Sequence, residues 1–198
     1  MRILVVGATG MIGRAVVAAL MGSHEIVPVS RRSTPITVDL ADTSSIHAMY
    51  RAVGHVDAVI SAAGQAKFAP LTQLSDADFQ LSVGNKLLGQ VNLVRFGFDH
   101  VSDRGSFTLT SGILARSPMP GSAAISLVNA GIEAFVKAAA IEAPRGLRVN
   151  AVSPPWVKET LQLLGMDAAH GLPAAAVARA YVQSVAGTAT GAVLEPSA

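Results

Sequence analysis

Short continuous apolar runs alternate along this chain with longer stretches in which apolar residues recur every three or four positions. Ile3-Leu4-Val5-Val6 is the first run, and Met11 to Leu20 follows with helical spacing. Strand-like Glu25–Val29 and Ile36–Val38 come next, then a helix over Thr43–Val53 opened by a Thr-Ser-Ser cap region. Val56–Ile60 reads as a strand and Asp76 to about Phe98 as one long helix. The beat closes with strand Ser106–Thr110, helix Ser122–Ala143, strand Leu147–Val152, helix Pro173–Val185 and a short strand Ala192–Leu194. Strands apolar on both faces and separated by helices predict a parallel sheet covered on both sides. Right-handed crossovers then make it a single doubly wound α/β sheet of about seven strands. No repeat, low-complexity tract or linker interrupts the pattern, so one domain over residues 1–198 is expected.

Composition narrows the function classes. Hydrophobic residues make up 51% and aromatic residues only 5%, so the apolar bulk is aliphatic. The chain has no cysteine, which excludes disulfides, thiolate metal sites and a cysteine nucleophile and makes an oxidising compartment a poor guess. A cytoplasmic location is therefore expected. The longest stretch without a charge, Ser117–Ile132, contains Pro118, Pro120 and Gly121, so no membrane-spanning helix is expected. The opening residues run straight into strand-like sequence, so no signal peptide is expected. The net charge is only +2, and basic residues cluster only at Arg31-Arg32 and Arg145…Arg148, so no nucleic-acid partner is expected. His24, His47, His55, His100 and His170 are scattered without paired spacing, which argues against a metal site.

Chemistry concentrates at the strand ends. Gly7-Ala8-Thr9-Gly10-Met11-Ile12-Gly13 follows the first strand and opens the first helix. In that context Gly7 permits a tight turn, Gly10 lets the backbone approach a pyrophosphate, and Gly13 allows close helix–strand packing. The helix start adds free N–H groups and positive dipole. This is the fingerprint of a Rossmann-type dinucleotide site. After the second strand the chain reads Ser30-Arg31-Arg32-Ser33, with no carboxylate for a ribose 2′-hydroxyl. Guanidinium groups and a hydroxyl there favour a 2′-phosphate, hence NADP(H) over NAD(H).

These residues, with four further stretches, make the chain similar to the short-chain dehydrogenase/reductase family over nearly its whole length. The further stretches are Asp39-Leu40, Ala62-Ala63-Gly64, Thr110-Ser111-Gly112 and Ser153-Pro154-Pro155-Trp156-Val157. The resemblance implies adenine contact at Asp39 and Leu40, and cofactor contact at Ala62, Ala63, Gly64, Pro154 and Val157. It also implies a substrate lid, shortened here, around residues 156–175. The spacing G-x-x-G-x-x-G is nearer the extended or atypical branches of the family than its usual pattern.

The resemblance breaks at the catalytic centre. Family enzymes carry Tyr-x-x-x-Lys on the helix after the fifth strand, the Tyr donating a proton to the carbonyl and the Lys lowering its pKa. Aligning Asn129-Ala130-Gly131 with the family's Lys-Ala-Gly puts Asn129 at the Lys and Ile125 at the Tyr, and no register restores the pair. The tyrosines, Tyr50 and Tyr181, fall in helices expected to be peripheral. Counting back from Gly89 places Lys86 where the family has Asn. The chain thus has Lys where Asn is usual and Asn where Lys is usual, at positions that face each other in the family fold. The expectation is that Ser111 hydrogen-bonds the substrate, Lys86 supplies positive charge and a proton, and Asn129 binds the cofactor ribose. Trp156 is expected in the pocket, and Asp76 and Asp78 are read as first-turn helix charges.

The implied activity is NADP(H)-dependent hydride transfer to or from a small carbonyl, alcohol or imine. The alternative is a catalytically impaired NADP(H)-binding sensor or partner protein. Apolar residues spread around the two long helices predict a homodimer or homotetramer.

Overall fold

The computed structural model describes residues Met1–Ser197. Its strands are β1 Arg2–Val6, β2 Glu25–Ser30, β3 Ile36–Thr37, β4 Val56–Ser61, β5 Val101–Thr110, β6 Arg148–Val152 and β7 Val193–Leu194. Its α-helices are α1 Met11–Leu20, α2 Thr43–Val53, α3 Asp76–Ser82, α4 Gly89–Gly97, α5 Ala123–Glu142, α6 Lys158–Leu163 and α7 Ala174–Ala186. The seven strands pair in parallel in the order β3-β2-β1-β4-β5-β6-β7.

The period of two along the strands sorts the core into two layers. Leu4 and Val6 of β1 face a layer formed with α2, α4 and α5, whereas Ile3 and Val5 face α1 and α7. Both layers are fully buried at the sheet, and each wholly buried aliphatic side chain contributes about 1.5–3 kcal/mol. The chain leaves β1 toward β2 and β3, then crosses back by α2 to β4 on the other side of β1. A crevice therefore opens between the carboxyl ends of β1 and β4, where open α/β sheets bind ligands.

Helix signals are mostly local. Ser75 caps α3 by accepting from the Asp78 N–H at 3.3 Å, while the Asp78 carboxylate accepts from the Ser75 N–H at 3.0 Å. Asp78 is thus a first-turn capping residue. The cap of α2 is Asp42, one residue before the Thr-Ser-Ser stretch, accepting from the Ser44 N–H at 2.8 Å.

Three expectations are corrected. The long helix from Asp76 to Phe98 is not continuous, because residues Val83–Leu88 widen into a π-helical segment between α3 and α4. Strand β5 starts at Val101, because Val101 pairs with Val56 ahead of a register shift that carries the polar residues 102–105 before pairing resumes at Ser106. Tyr50 and Tyr181 are not peripheral. Both are fully buried, Tyr50 donating to the Leu93 carbonyl at 2.6 Å and Tyr181 lying 2.6 Å from the Thr110 hydroxyl. A phenol that reaches one polar partner can sit in a core, which periodicity alone does not reveal.

Helix α5 is 20 residues long and apolar enough, by length and composition, to cross a bilayer. In the fold it is a core helix, with Ala124, Val128, Ile132, Val136 and Ala139 buried and Glu133 and Lys137 within its span. Residues 156–175 hold α6 and a parallel bridge between Val157 and Leu172, which ties the two ends of this segment together and packs both residues in the layer of Ile3 and Val5.

Candidate active site

The glycine loop takes the form its sequence predicts. Gly7 has φ +86°, and a Cβ there would lie 2.6 Å from the Ala62 carbonyl oxygen. A Cβ on Gly13 would lie 1.9 Å from the Gly7 carbonyl oxygen, so α1 seats directly on the turn. Gly10 caps α1 with extended backbone and no side-chain bond, and the first turn has no acidic residue. The positive end of the helix is left uncompensated, which is what a pyrophosphate needs.

Above this loop lies a groove of about 220 Å³ that brings together Gly7, Thr9, Gly10, Arg31, Asp39, Leu40, Ala62, Ala63 and Gly64. Val6, Ser30, Val38, Gln65 and Asn85 complete it. Arg31 reaches Asp39 at 3.2 Å and is well exposed. Met11, Gly13, Arg32 and Ser33 do not line the groove.

A second cavity, also about 220 Å³, brings together Ile12, Lys86, Ser111, Asn129, Pro154 and Val157 with Trp156. The Lys86 and Asn129 positions, 43 residues apart, therefore meet at one site. The π-helical segment carries Lys86, and α5 carries Asn129. Asn85 turns to accept from the Gln65 N–H at 2.7 Å, and the Lys86 stem passes Gly64 so closely that a Cβ there would meet Lys86 Cγ at 2.8 Å. Such segments recur at functional sites because they redirect one side chain without ending the helix. Gln90, fully buried, locks the arrangement: its Nε2 donates to the carbonyls of Lys86 and Thr110 at 3.1 and 3.0 Å, and its Oε1 accepts from the Thr110 N–H at 2.8 Å.

Lys86 is half-buried and takes part in none of the ion pairs among the described residues. Burial pulls its ammonium down from 10.5 to about 8. Asn129 is 2% exposed, its Nδ2 donates weakly to the Gly112 carbonyl at 3.4 Å, and its Oδ1 has no partner. An orphaned buried oxygen at the cavity wall calls for a donor from a ligand.

Ser111 lines the cavity, but its hydroxyl is engaged elsewhere. It donates to Glu133 Oε1 at 2.9 Å and approaches the Asn129 carbonyl at 3.2 Å. Ser153 donates to the same Glu133 oxygen at 3.0 Å, and Arg116 lies 3.9 Å from the other. Glu133 was not singled out by sequence reasoning. The available signal was its spacing four residues after Asn129, which puts both on one face of α5. Gln90 escaped notice for the same reason, four residues after Lys86. Thr110 is likewise satisfied, donating to the Ser61 carbonyl and paired with Tyr181.

The groove and the cavity together fit a nicotinamide dinucleotide: a glycine cradle that any Cβ would fill, an uncapped helix start, and an orphaned Asn129 oxygen beyond them.

Comparison with known proteins agrees. A family model described as enoyl-(acyl carrier protein) reductase matches residues 13–192. A hydroxynaphthalene reductase of Aspergillus fumigatus is 30% identical over 141 residues, which are 69% of this chain and 52% of that protein. The chain thus spans about half the length of that curated relative. An oxidoreductase of Methylorubrum extorquens is 25% identical over 199 residues, covering 86% of this chain and 80% of that one. A solved structure from Listeria innocua is 43% identical over 98% of both chains, with a TM-score of 0.95. A small-chain dehydrogenase solved in complex with NADPH is 27% identical over 98% of this chain and 95% of its own, with a TM-score of 0.88.

Proposed function

Because the chain belongs to the short-chain dehydrogenase/reductase family, we propose that it is an NADP(H)-dependent oxidoreductase acting on a small carbonyl, alcohol or imine. The observation that carries this reading is the junction of the glycine-lined groove with a cavity holding Lys86 and Asn129. When bound, a reduced nicotinamide supplies hydride to the substrate carbon. The chain's own part is to hold the cofactor on Gly7, Gly10 and the start of α1, and to offer Asn129 Oδ1 to a ribose hydroxyl. Lys86 takes the place of the missing phenol and gives a proton to the substrate oxygen. Burial favours that role, since an ammonium near 8 gives up its proton more readily than one near 10.5. Ser111 acts through Glu133 as a support of the cavity wall.

Arg31, at the end of the groove beside Asp39, supports preference for a 2′-phosphate, and NADPH occupies one related structure. Titration with NADPH and NADH, followed by energy transfer from Trp156, tests the reading. At least tenfold tighter NADPH binding, lost in Arg31→Ala, is expected. Failure to bind either cofactor would refute it.

The second reading, an NADP(H)-binding sensor without turnover, is favoured by two features: the Ser111 hydroxyl is spent on Glu133, and among the described residues no phenol lines the cavity. Turnover with any small carbonyl or alcohol removes it. A homodimer or homotetramer is proposed through the outer face of α5, where Leu127 and Ile141 are 52% and 87% exposed. Monomers by light scattering at micromolar concentration would refute that assembly.

A further inference from the structure

Among the described residues that line the second cavity, Lys86 is the one ionisable group. The other lining side chains are apolar, or carry the uncharged hydroxyls and amide of Thr110, Ser111, Thr160 and Asn129. Trp156, Ile125, Leu114 and Pro154 form apolar walls, and the hydroxyls of Thr110 and Ser111 are spent on Ser61, Tyr181 and Glu133. Glu133 itself does not line the cavity, and its oxygens face Ser111, Ser153 and Arg116. The cavity therefore contains a single positive charge with no compensating negative charge. A half-buried ion left in that condition is costly, and a ligand that brings the opposite charge recovers the cost.

The cofactor does not bring it. Lys86 is not among the residues that line the groove the glycine loop prepares for the pyrophosphate; its neighbour Asn85 lines that groove, while the Lys86 stem passes Gly64 and lines the second cavity. The negative charge must then come with the substrate.

We propose that the substrate is a small 2-oxo acid, or the corresponding 2-hydroxy acid, whose carboxylate pairs with Lys86. The proposal rests on the oxidoreductase reading above and names its substrate class. An ammonium has three N–H donors and no acceptor. A 2-oxo acid carries its carbonyl oxygen and a carboxylate oxygen on adjacent carbons, so both reach one ammonium. Lys86 thereby anchors the acid and hydrogen-bonds the carbonyl that is to be protonated. The carboxylate also holds Lys86 in its charged form, which is the form that donates a proton. The apolar walls around Trp156 leave the rest of the substrate as a short hydrocarbon group, which suits a cavity of about 220 Å³.

The test uses an unreactive pair of the same shape, oxamate (anionic) and oxamide (neutral), titrated calorimetrically into the protein saturated with NADPH. Oxamate is expected to bind at least tenfold more tightly than oxamide. In Lys86→Met that ratio falls to near one, while NADPH affinity stays within threefold of the parent. Lys86→Arg keeps the charge and most of the ratio, but loses turnover, because a guanidinium does not give up its proton. Equal binding of the two probes to the parent protein overturns the proposal, and so does a ratio that survives in Lys86→Met. If Lys86→Met does not fold, the parent ratio and Lys86→Arg still decide. Should NADPH itself fail to bind, the oxidoreductase reading falls and takes this proposal with it. Should NADPH bind and neutral ketones be reduced as well as 2-oxo acids, only the substrate class is wrong.

Discussion

Replacing Glu133 by alanine is expected to cost about 3 kcal/mol of stability. Glu133 is 8% exposed, and one of its oxygens accepts from Ser111 at 2.9 Å and from Ser153 at 3.0 Å. A hydrogen bond to a charged group contributes about 1.5–3 kcal/mol, so two together give about 3–6. Two effects reduce the sum. Removing a buried carboxylate also removes its own desolvation cost, and Arg116, 39% exposed, retains Glu195 and water as partners. At about 2–4 °C per kcal/mol for a chain of this size, Tm should fall by roughly 6–12 °C. Glu133→Gln separates the bond from its charge. The amide oxygen still accepts from both serines, and the amide nitrogen faces Arg116 only at long range, so a loss of about 1 kcal/mol is expected. Urea unfolding followed by circular dichroism measures both variants. If alanine and glutamine each lie within about 0.5 kcal/mol of the parent, the network contributes nothing and the account of Ser111 as a wall support is wrong.

Four further outcomes follow from the site and its surroundings. Gly13→Ala pushes a methyl to 1.9 Å from the Gly7 carbonyl oxygen, so it should destabilise by about 1–3 kcal/mol and weaken NADPH binding measurably; normal affinity would show that α1 does not seat on the loop. Lys86→Ala should lower the reduction rate by about 10²–10⁴-fold with NADPH affinity kept. In the parent, where Lys86 stands at about 8, the rate of reduction should fall as pH rises through that value, and a flat alkaline limb would count against Lys86 as proton donor. His100, stacked on Tyr50, is held below its usual pKa of 6.5 by burial and then by His55, so the folded state favours its neutral form. Its contribution is present above pH 6.5 and is lost as pH falls below that value; Tm should decline on acidification, less so in His100→Phe, and an equal decline in both proteins would refute the assignment.

The elements and the cofactor loop were legible in the sequence, because both are written in short-range pattern. The continuous apolar run Ile3–Val6 buries both faces of β1, and Gly13 is required where the Gly7 carbonyl oxygen stands 1.9 Å from a would-be side chain. The exchange of Lys86 and Asn129 was also visible, as two departures from one family pattern. Its consequence was not, since only packing places the two on a common cavity and leaves the ammonium without a partner. The same holds for Ser111, whose hydroxyl is taken by a carboxylate 22 residues on, and for Tyr181, which meets Thr110 across 71 residues and is buried rather than peripheral. The break in the long helix at Val83–Leu88 belongs with them, for Gln90 must find β5 before that turn has a reason to widen. Local sequence sets which backbone geometry each segment prefers. Which buried polar groups find partners, and which are left for a ligand, is decided only when distant segments close on one another.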